Sequence, residues 1–400
     1  MRTTARHSPL KNYCLIQLYY IYLYIQGGNR TKKNTGDMKH AYIVIMAGGI
    51  GSRFWPASTS ETPKQFLDIA GQGKSLLRMT YERFRPIVPA ERIMVLTHAD
   101  YTRRVQDELP EVPARNILEE PSRNNTAPSV ALAALHLQAI DPDASMLIAP
   151  SDHVIEKESA FLALVKDGLK FVQNEKAILT LGMRPSRPDT GYGYIQYNNN
   201  KDRMAGNSLM FQVKQFTEKP DLESAQRFLS SGDFVWNAGI FMFSVATILS
   251  AFQEEAPTIY AQLTQEPDVF GTEAEADYIR RVYPDTPNIS IDYAIMEKAD
   301  YIYTLPAQIG WSDLGTWGSV YERSEKDEDA VVVQHGGRHL IEDSKRSLLR
   351  FPKEKTVLIK GLEDYIVVDT PDALLIYPRS EEQEIKADRK RLLSDETDAG

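Results

Sequence analysis

Cysteine is almost missing from this chain: its 400 residues include one, Cys14. From Met38 onward there is none, which excludes disulfides, thiolate catalysis and cysteine-zinc sites from that part. Long apolar runs are lacking as well. The stretch 13–25 is short, crowded with tyrosine and interrupted by Gln17, whereas a membrane-spanning helix needs about 20 apolar residues. No small-residue cleavage site follows it, so a signal peptide is not indicated. There is no long basic stripe, and the formal net charge is −9, which argues against bulk nucleic-acid binding. Two common phosphate loops also fail. The dinucleotide fingerprint breaks where Phe54 replaces its third glycine, and Gly71-Gln-Gly-Lys-Ser75 has Asp68 where a P-loop needs its first glycine.

What is present starts with Met46-Ala-Gly-Gly-Ile-Gly-Ser-Arg-Phe-Trp-Pro56, directly after the strand-like run Tyr42–Ile45. Glycines at the end of a buried strand let the backbone approach a ligand and turn its N–H groups toward it. Arg53 and Lys64 add positive charge to the same mouth, which suits a polyphosphate. Because the whole chain is acidic, such a site must rely on local Arg, Lys and metal charge.

Length predicts two or three domains, or one large α/β domain with an appendage. Residues 1–37 differ from the rest, with six Lys and Arg against Asp37 alone. Met38 leads straight into the first core strand, so residues 1–37 are expected to lie upstream of the native start. The alternatives are a disordered extension or a membrane anchor.

After Met38, the runs 93–97, 116–118, 145–149 and 177–181 read as strands, alternating with helical stretches 76–85, 99–109, 128–139 and 159–173. That alternation predicts an α/β fold with a doubly wound, mostly parallel sheet, whose ligands bind at the carboxyl ends of the strands. The glycine loop and Pro150-Ser-Asp-His153 should therefore face one cleft. Beyond about residue 185 the pattern is mixed, with strand candidates at 191–195, 213–218 and 235–243 and helices through Lys298. The expected organisation is a catalytic region over 38–325, a small, short solenoid-like β domain over 330–380 and a charged tail over 381–400. The β domain's strands are expected at 347–351, 355–359, 365–369 and 373–377.

Nine motifs occur in order: Gly48–Pro56, Pro63–Phe66, Glu120–Pro128, Pro150–His153, Thr190–Ile195, Phe216–Pro220, Trp236–Phe241, Ile291–Lys298 and Gly310–Trp317. Together they resemble the mannose-1-phosphate guanylyltransferases, within the sugar-nucleotidylyltransferase family, across residues 41 to about 378. The resemblance implies a Rossmann-like, doubly wound mixed sheet of the nucleotide-diphospho-sugar transferase type with a small C-terminal β domain. It implies that GTP and mannose 1-phosphate give GDP-mannose and pyrophosphate in the cytoplasm, by attack of the sugar phosphate on the α-phosphorus. That nucleophile is already an anion, so alignment and charge neutralisation matter more than a general base. A chain ending near residue 400 is expected to lack the appended isomerase domain of bifunctional relatives.

The resemblance assigns Arg53, Lys64 and Lys219 to catalysis, and Gly48, Gly49, Gly51, Ser52, Asn125 and Thr126 to the nucleotide. Tyr192, Gly193, Glu218 and Asn237 fall to the sugar, and Asp152 and Asp313 to a divalent ion, expected as Mg²⁺. Plainer readings stand beside these. Asp152 suits a turn, Asp313 a helix start, Arg53, Lys64 and Lys219 solvated charges, and Asn237 a buried structural amide. His153 reads as structural. One departure is Asn124, where many relatives place arginine. Rival readings are another hexose-1-phosphate nucleotidyltransferase and an inactive sugar-nucleotide sensor. No nucleic-acid or membrane partner is expected, and an apolar C-terminal β domain would suit a homodimer contact.

Overall fold

The computed structural model describes residues 38–49 and 51–394. The expectation for residues 1–37 lies outside the described residues, as does the end of the charged tail. Four parallel strands form one half of the main sheet: β1 (Ala41–Met46), β2 (Ile93–His98), β3 (Ile117–Glu120) and β4 (Ser145–Pro150). Their sequences are nearly continuous apolar runs because helices cover both faces. Successive residues serve opposite faces: Ile43 and Ile45 join one apolar cluster, while Val44 joins the other.

A short strand β5 (Val154–Ile155) follows, then β6 (Ile178–Met183), the hairpin β7 (Tyr194–Ala205) and β8 (Ser208–Thr217), β9 (Phe234–Ser244), β10 (Ile302–Ala307) and β11 (Trp311–Ser312). The nine-stranded sheet runs β3-β2-β1-β4-β9-β6-β10-β8-β7. Strand β9 lies antiparallel to both β4 and β6, which makes the sheet mixed. The chain leaves β1 toward β2 and β3, then returns on the other side as β4. That reversal opens a crevice beyond the carboxyl ends of β1 and β4, the place where such sheets bind ligands.

Two features exceed what the sequence pattern offered. The β7–β8 hairpin is much longer than 191–195 and 213–218, because its outer part, from Asn199 to Met204, is exposed and lacks apolar alternation. Strand β10 carries Pro306 yet pairs in parallel with β6 and antiparallel with β8. Proline weakens a strand signal, and this one was not anticipated.

The C-terminal strands are β12 (Val332–Gln334), β13 (His339–Glu342), β14 (Leu348–Arg350), β15 (Val357–Lys360), β16 (Tyr365–Asp369) and β17 (Leu374–Pro378). Strands β12, β14 and β16 stack in parallel with β17 antiparallel at the edge, while β13 and β15 form a second face. Some apolar side chains of this region form a small core of their own, with Val331, Leu349, Phe351 and Val367 buried. Val332, Leu348, Ile366 and Leu375 share one cluster with Phe54, Ile69, Leu314 and Trp317 of the larger body. A helix over Ile385–Ser394 closes the described chain with Ile385 buried. Among the described residues no helix is long and apolar enough to cross a membrane.

Asn124, the departure noted above, proves to be a buried joint. Its amide nitrogen donates to the carbonyls of Tyr283 and Thr286 at 3.0 Å and lies 2.9 Å from the Thr286 hydroxyl. Asn124→Ala would leave the Thr286 carbonyl without this donor, while the Tyr283 carbonyl keeps the Thr286 amide and hydroxyl, and the expected loss of stability is about 1–3 kcal/mol. Urea unfolding of the variant measures it; an unchanged midpoint and slope would contradict this role.

Candidate active site

The glycine loop and the segment Lys64–Phe66 are fitted together at the end of β1. Gly51 has φ +70°, and a Cβ there would lie 2.4 Å from the Lys64 Cβ. Only glycine meets both conditions. Lys64 is 4% exposed, so it is not the solvated charge that its sequence context equally allowed. Its ammonium donates to Asp152 Oδ2 at 3.0 Å and to the Asp313 carbonyl at 2.8 Å. Arg53 stays exposed, and its guanidinium donates to the Gly315 carbonyl at 3.2 Å. Three regions far apart in sequence, 51–64, 152 and 313–315, thus converge.

The short antiparallel pairing of β5 with β11, Val154 opposite Ser312, sets the two aspartates on adjoining turns. Recession of Asp152 from solvent opposes its ionisation, but the Lys64 ammonium more than offsets this, and its pKa lies below the ordinary value. Asp313 Oδ1 accepts from the Tyr192 hydroxyl at 2.8 Å and from the Gly315 amide at 3.1 Å. Burial and the nearby Asp313 charge raise the Tyr192 pKa, keeping it a donor. Asp313 does not begin the next helix, since Thr316 caps it in a reciprocal pair with Ser319. His153 is kept neutral by burial, and its Nδ1 accepts from the Trp311 indole at 3.1 Å.

An open cavity of about 220 Å³ adjoins these groups, lined by Thr126, His153, Tyr192, Gly193, Glu218, Asn237, Asp292 and Asp313 among others. Gly193 is tightly placed, since a Cβ would come within 2.4 Å of Glu218 Oε2. Lys219, at φ +46°, pairs with Glu218 and leaves its own side chain 59% exposed. Asn237 is largely engaged by the protein. Its Oδ1 accepts from the Thr180 hydroxyl and the Gly239 amide, both at 3.1 Å, and its Nδ2 donates to Asp292 at 2.9 Å.

The nucleotidyl transferase family model matches residues 42–330. Mannose-1-phosphate guanylyltransferase 2 of Escherichia coli O157:H7 is 35% identical over 352 residues, covering 86% of this chain and 71% of that protein. Mannose-1-phosphate guanylyltransferase ManC of Salmonella typhimurium is 35% identical over 363 residues, covering 88% and 73%. The chain belongs to the nucleotidyl transferase family and, within it, to the mannose-1-phosphate guanylyltransferases. Mannose-1-phosphate geranyltransferase from Thermus thermophilus, known as a crystal structure, has the same fold. It matches with a TM-score of 0.77 at 30% identity, over 88% of this chain and 99% of that one.

In this guanylyltransferase-family chain Gly49 has open space around it, while Gly48 lies against Glu120. Ser52 begins the 3-10 turn that carries Arg53. Asn125 has φ +67° and caps the helix Thr126–Ile140, and Thr126 accepts from the Ile291 amide at 2.8 Å. The P-loop look-alike binds its own chain: Asp68 accepts from the amides of Gln72 and Gly73 at 2.8 and 2.7 Å.

Two acidic residues were not singled out by sequence. Glu120, at the end of β3, is raised in pKa by burial, with the Ser129 and Tyr283 hydroxyls donating to one oxygen. Asp292 lies in a single π-turn, Asp292–Met296, facing Asn237. Its signal was the Ile291–Lys298 motif, whose two acidic members, Asp292 and Glu297, had no assigned role.

Among the described residues there is no group of three or more His, Cys, Asp or Glu arranged to hold a metal. Asp152 Oδ2 accepts from Lys64, and no described residue donates to Asp313 Oδ2. Hard carboxylate oxygens of this kind suit a divalent cation whose remaining positions phosphate oxygens and water can fill.

Burial, and then the Glu218 carboxylate, push Asp292 up to about 6. Between the ordinary carboxylate value near pH ~4 and about 6, the folded protein holds a proton that the unfolded chain has released. Stability therefore falls as pH rises through that window, and the penalty persists above it. Asp292→Asn should raise unfolding stability above pH ~6 by on the order of 2 kcal/mol, a gain that fades toward pH ~4. Denaturant titration across that range checks it; a variant less stable at every pH would contradict it.

Proposed function

We propose that the protein transfers GMP from GTP to mannose 1-phosphate, giving GDP-mannose and pyrophosphate. The carrying observation is the buried Lys64 ammonium between Asp152 and the Asp313 carbonyl, at the junction of the glycine loop and the cavity. A phosphate oxygen of the sugar forms a bond to the α-phosphorus, and the bond from that phosphorus to the pyrophosphate oxygen breaks. No proton has to move. The work of the protein is to align two anions and neutralise the charge on the leaving group.

In this reading the amides of Gly48, Gly49 and Gly51 and the Ser52 hydroxyl cradle the triphosphate, with Asn125 and Thr126 beside the nucleoside. Arg53 and Lys64 neutralise developing charge, and Lys219 receives the sugar phosphate. Tyr192, Gly193 and Glu218 bound the hexose. Asn237 offers it one N–H at most, because its oxygen is already taken. Asp152 and Asp313 would hold Mg²⁺, which supplies charge neutralisation on the phosphates when bound. The outward Leu340 and Leu358, opposite each other on β13 and β15, suit a homodimer contact.

Pyrophosphate release, measured for each NTP with mannose 1-phosphate or glucose 1-phosphate, with Mg²⁺ or EDTA, tests the assignment. GTP with mannose 1-phosphate should give the highest kcat/KM, with activity falling at least ~100-fold in EDTA. No release from that pair, or undiminished release in EDTA, would reject it. Highest kcat/KM with glucose 1-phosphate would favour the other hexose phosphate.

A further inference from the structure

The cluster joining the C-terminal strands to the larger body runs into the active site through two aromatic rings. Trp317 is fully buried, and its edge meets Phe54 with ring centroids 4.9 Å apart at 68°. Phe54, itself 1% exposed, presents its ring to the Lys64 ammonium at 5.1 Å. The Trp317 indole reaches the Trp55 carbonyl at 3.4 Å, tying it to the loop that carries Arg53. Behind Trp317 stands Arg350 of β14, its guanidinium 5.9 Å from the indole ring. Arg350 also donates to the Asp68 carbonyl and the Gln334 side chain, both at 3.1 Å. Leu314, the residue after Asp313, packs in the same cluster with φ +42°.

An ammonium over an aromatic face is attracted by the ring quadrupole, more strongly when water is excluded. Lys64 has one flexible four-carbon stem and two acceptors, Asp152 Oδ2 and the Asp313 carbonyl. The Phe54 ring limits where its ammonium can rest, and Trp317 limits where the ring can rest. We propose that Phe54 and Trp317 are positioning residues for nucleotidyl transfer, which hold Lys64 and the Asp313 turn in working geometry. The proposal rests on the functional reading above.

The test compares Phe54→Leu and Trp317→Leu with Ile366→Ala in the full chain. Ile366 belongs to the same cluster but is on β16, and nothing assigns it to substrate. At a temperature where circular dichroism reports all three variants folded, Phe54→Leu and Trp317→Leu should lose about tenfold or more in kcat. KM for mannose 1-phosphate should stay within about twofold, and Phe54→Tyr, which keeps the ring, should recover most of the kcat. Ile366→Ala should keep kcat within about twofold even where its Tm falls as far. Unchanged kcat in the two aromatic variants would overturn the proposal, as would losses matched by Ile366→Ala at equal Tm. An inactive wild type would reject the functional reading and this proposal together; an active wild type with unaffected variants would reject the proposal alone.

Discussion

The ammonium of Lys64, lodged between the Asp152 carboxylate and the Asp313 carbonyl, is the contact on which the arrangement of the site depends. Two turns carrying acidic side chains approach each other at the mouth of the sheet, and a fixed cation between them offsets their repulsion. Removing one member of such a recessed pair leaves its partner uncompensated, which costs more than the pair itself contributes. Gly51 follows from the same contact, since a side chain there would collide with the Lys64 stem. So does the depressed pKa of Asp152, which keeps that carboxylate ionised and able to meet a divalent cation.

Around this contact the sheet supplies direction. β1 and β4 end side by side, so the glycine loop and the Asp152 turn emerge at one level. β9, inserted antiparallel beside β4, carries Asn237 across the floor of the cavity. The C-terminal strands press on the same region from outside, through a cluster that includes Phe54 and Leu314. Polar cavity and apolar cluster are thus the two sides of the same loops.

Much of this was legible in the chain because local rules and position agreed. The apolar runs of β1, β2 and β4 are fully packed strands, and the glycine loop follows a strand as its composition required. The motif order already drew together the residues around Asp313. What could not be read is what depends on distant partners. No local pattern distinguishes a buried Lys64 from a surface lysine, because its burial comes from Phe54, Asp152 and Asp313. Asp292 faces the cavity only because a π-turn aims it at Asn237. β10 hides behind Pro306, and the exposed hairpin β7–β8 has no buried face to impose alternation. Asn124 looked like a lost arginine and is an anchor for the 283–286 turn.

The most direct measurement is a double-mutant cycle on kcat, using Lys64→Met, Asp152→Asn and the two combined. If the ammonium and the carboxylate work as one unit, each single change should lower kcat by roughly 100-fold. The combined change should then lose little more than the worse single one. Losses that multiply, giving about 10,000-fold in the double variant, would mean that the two groups act independently. That result would contradict a site organised around Lys64.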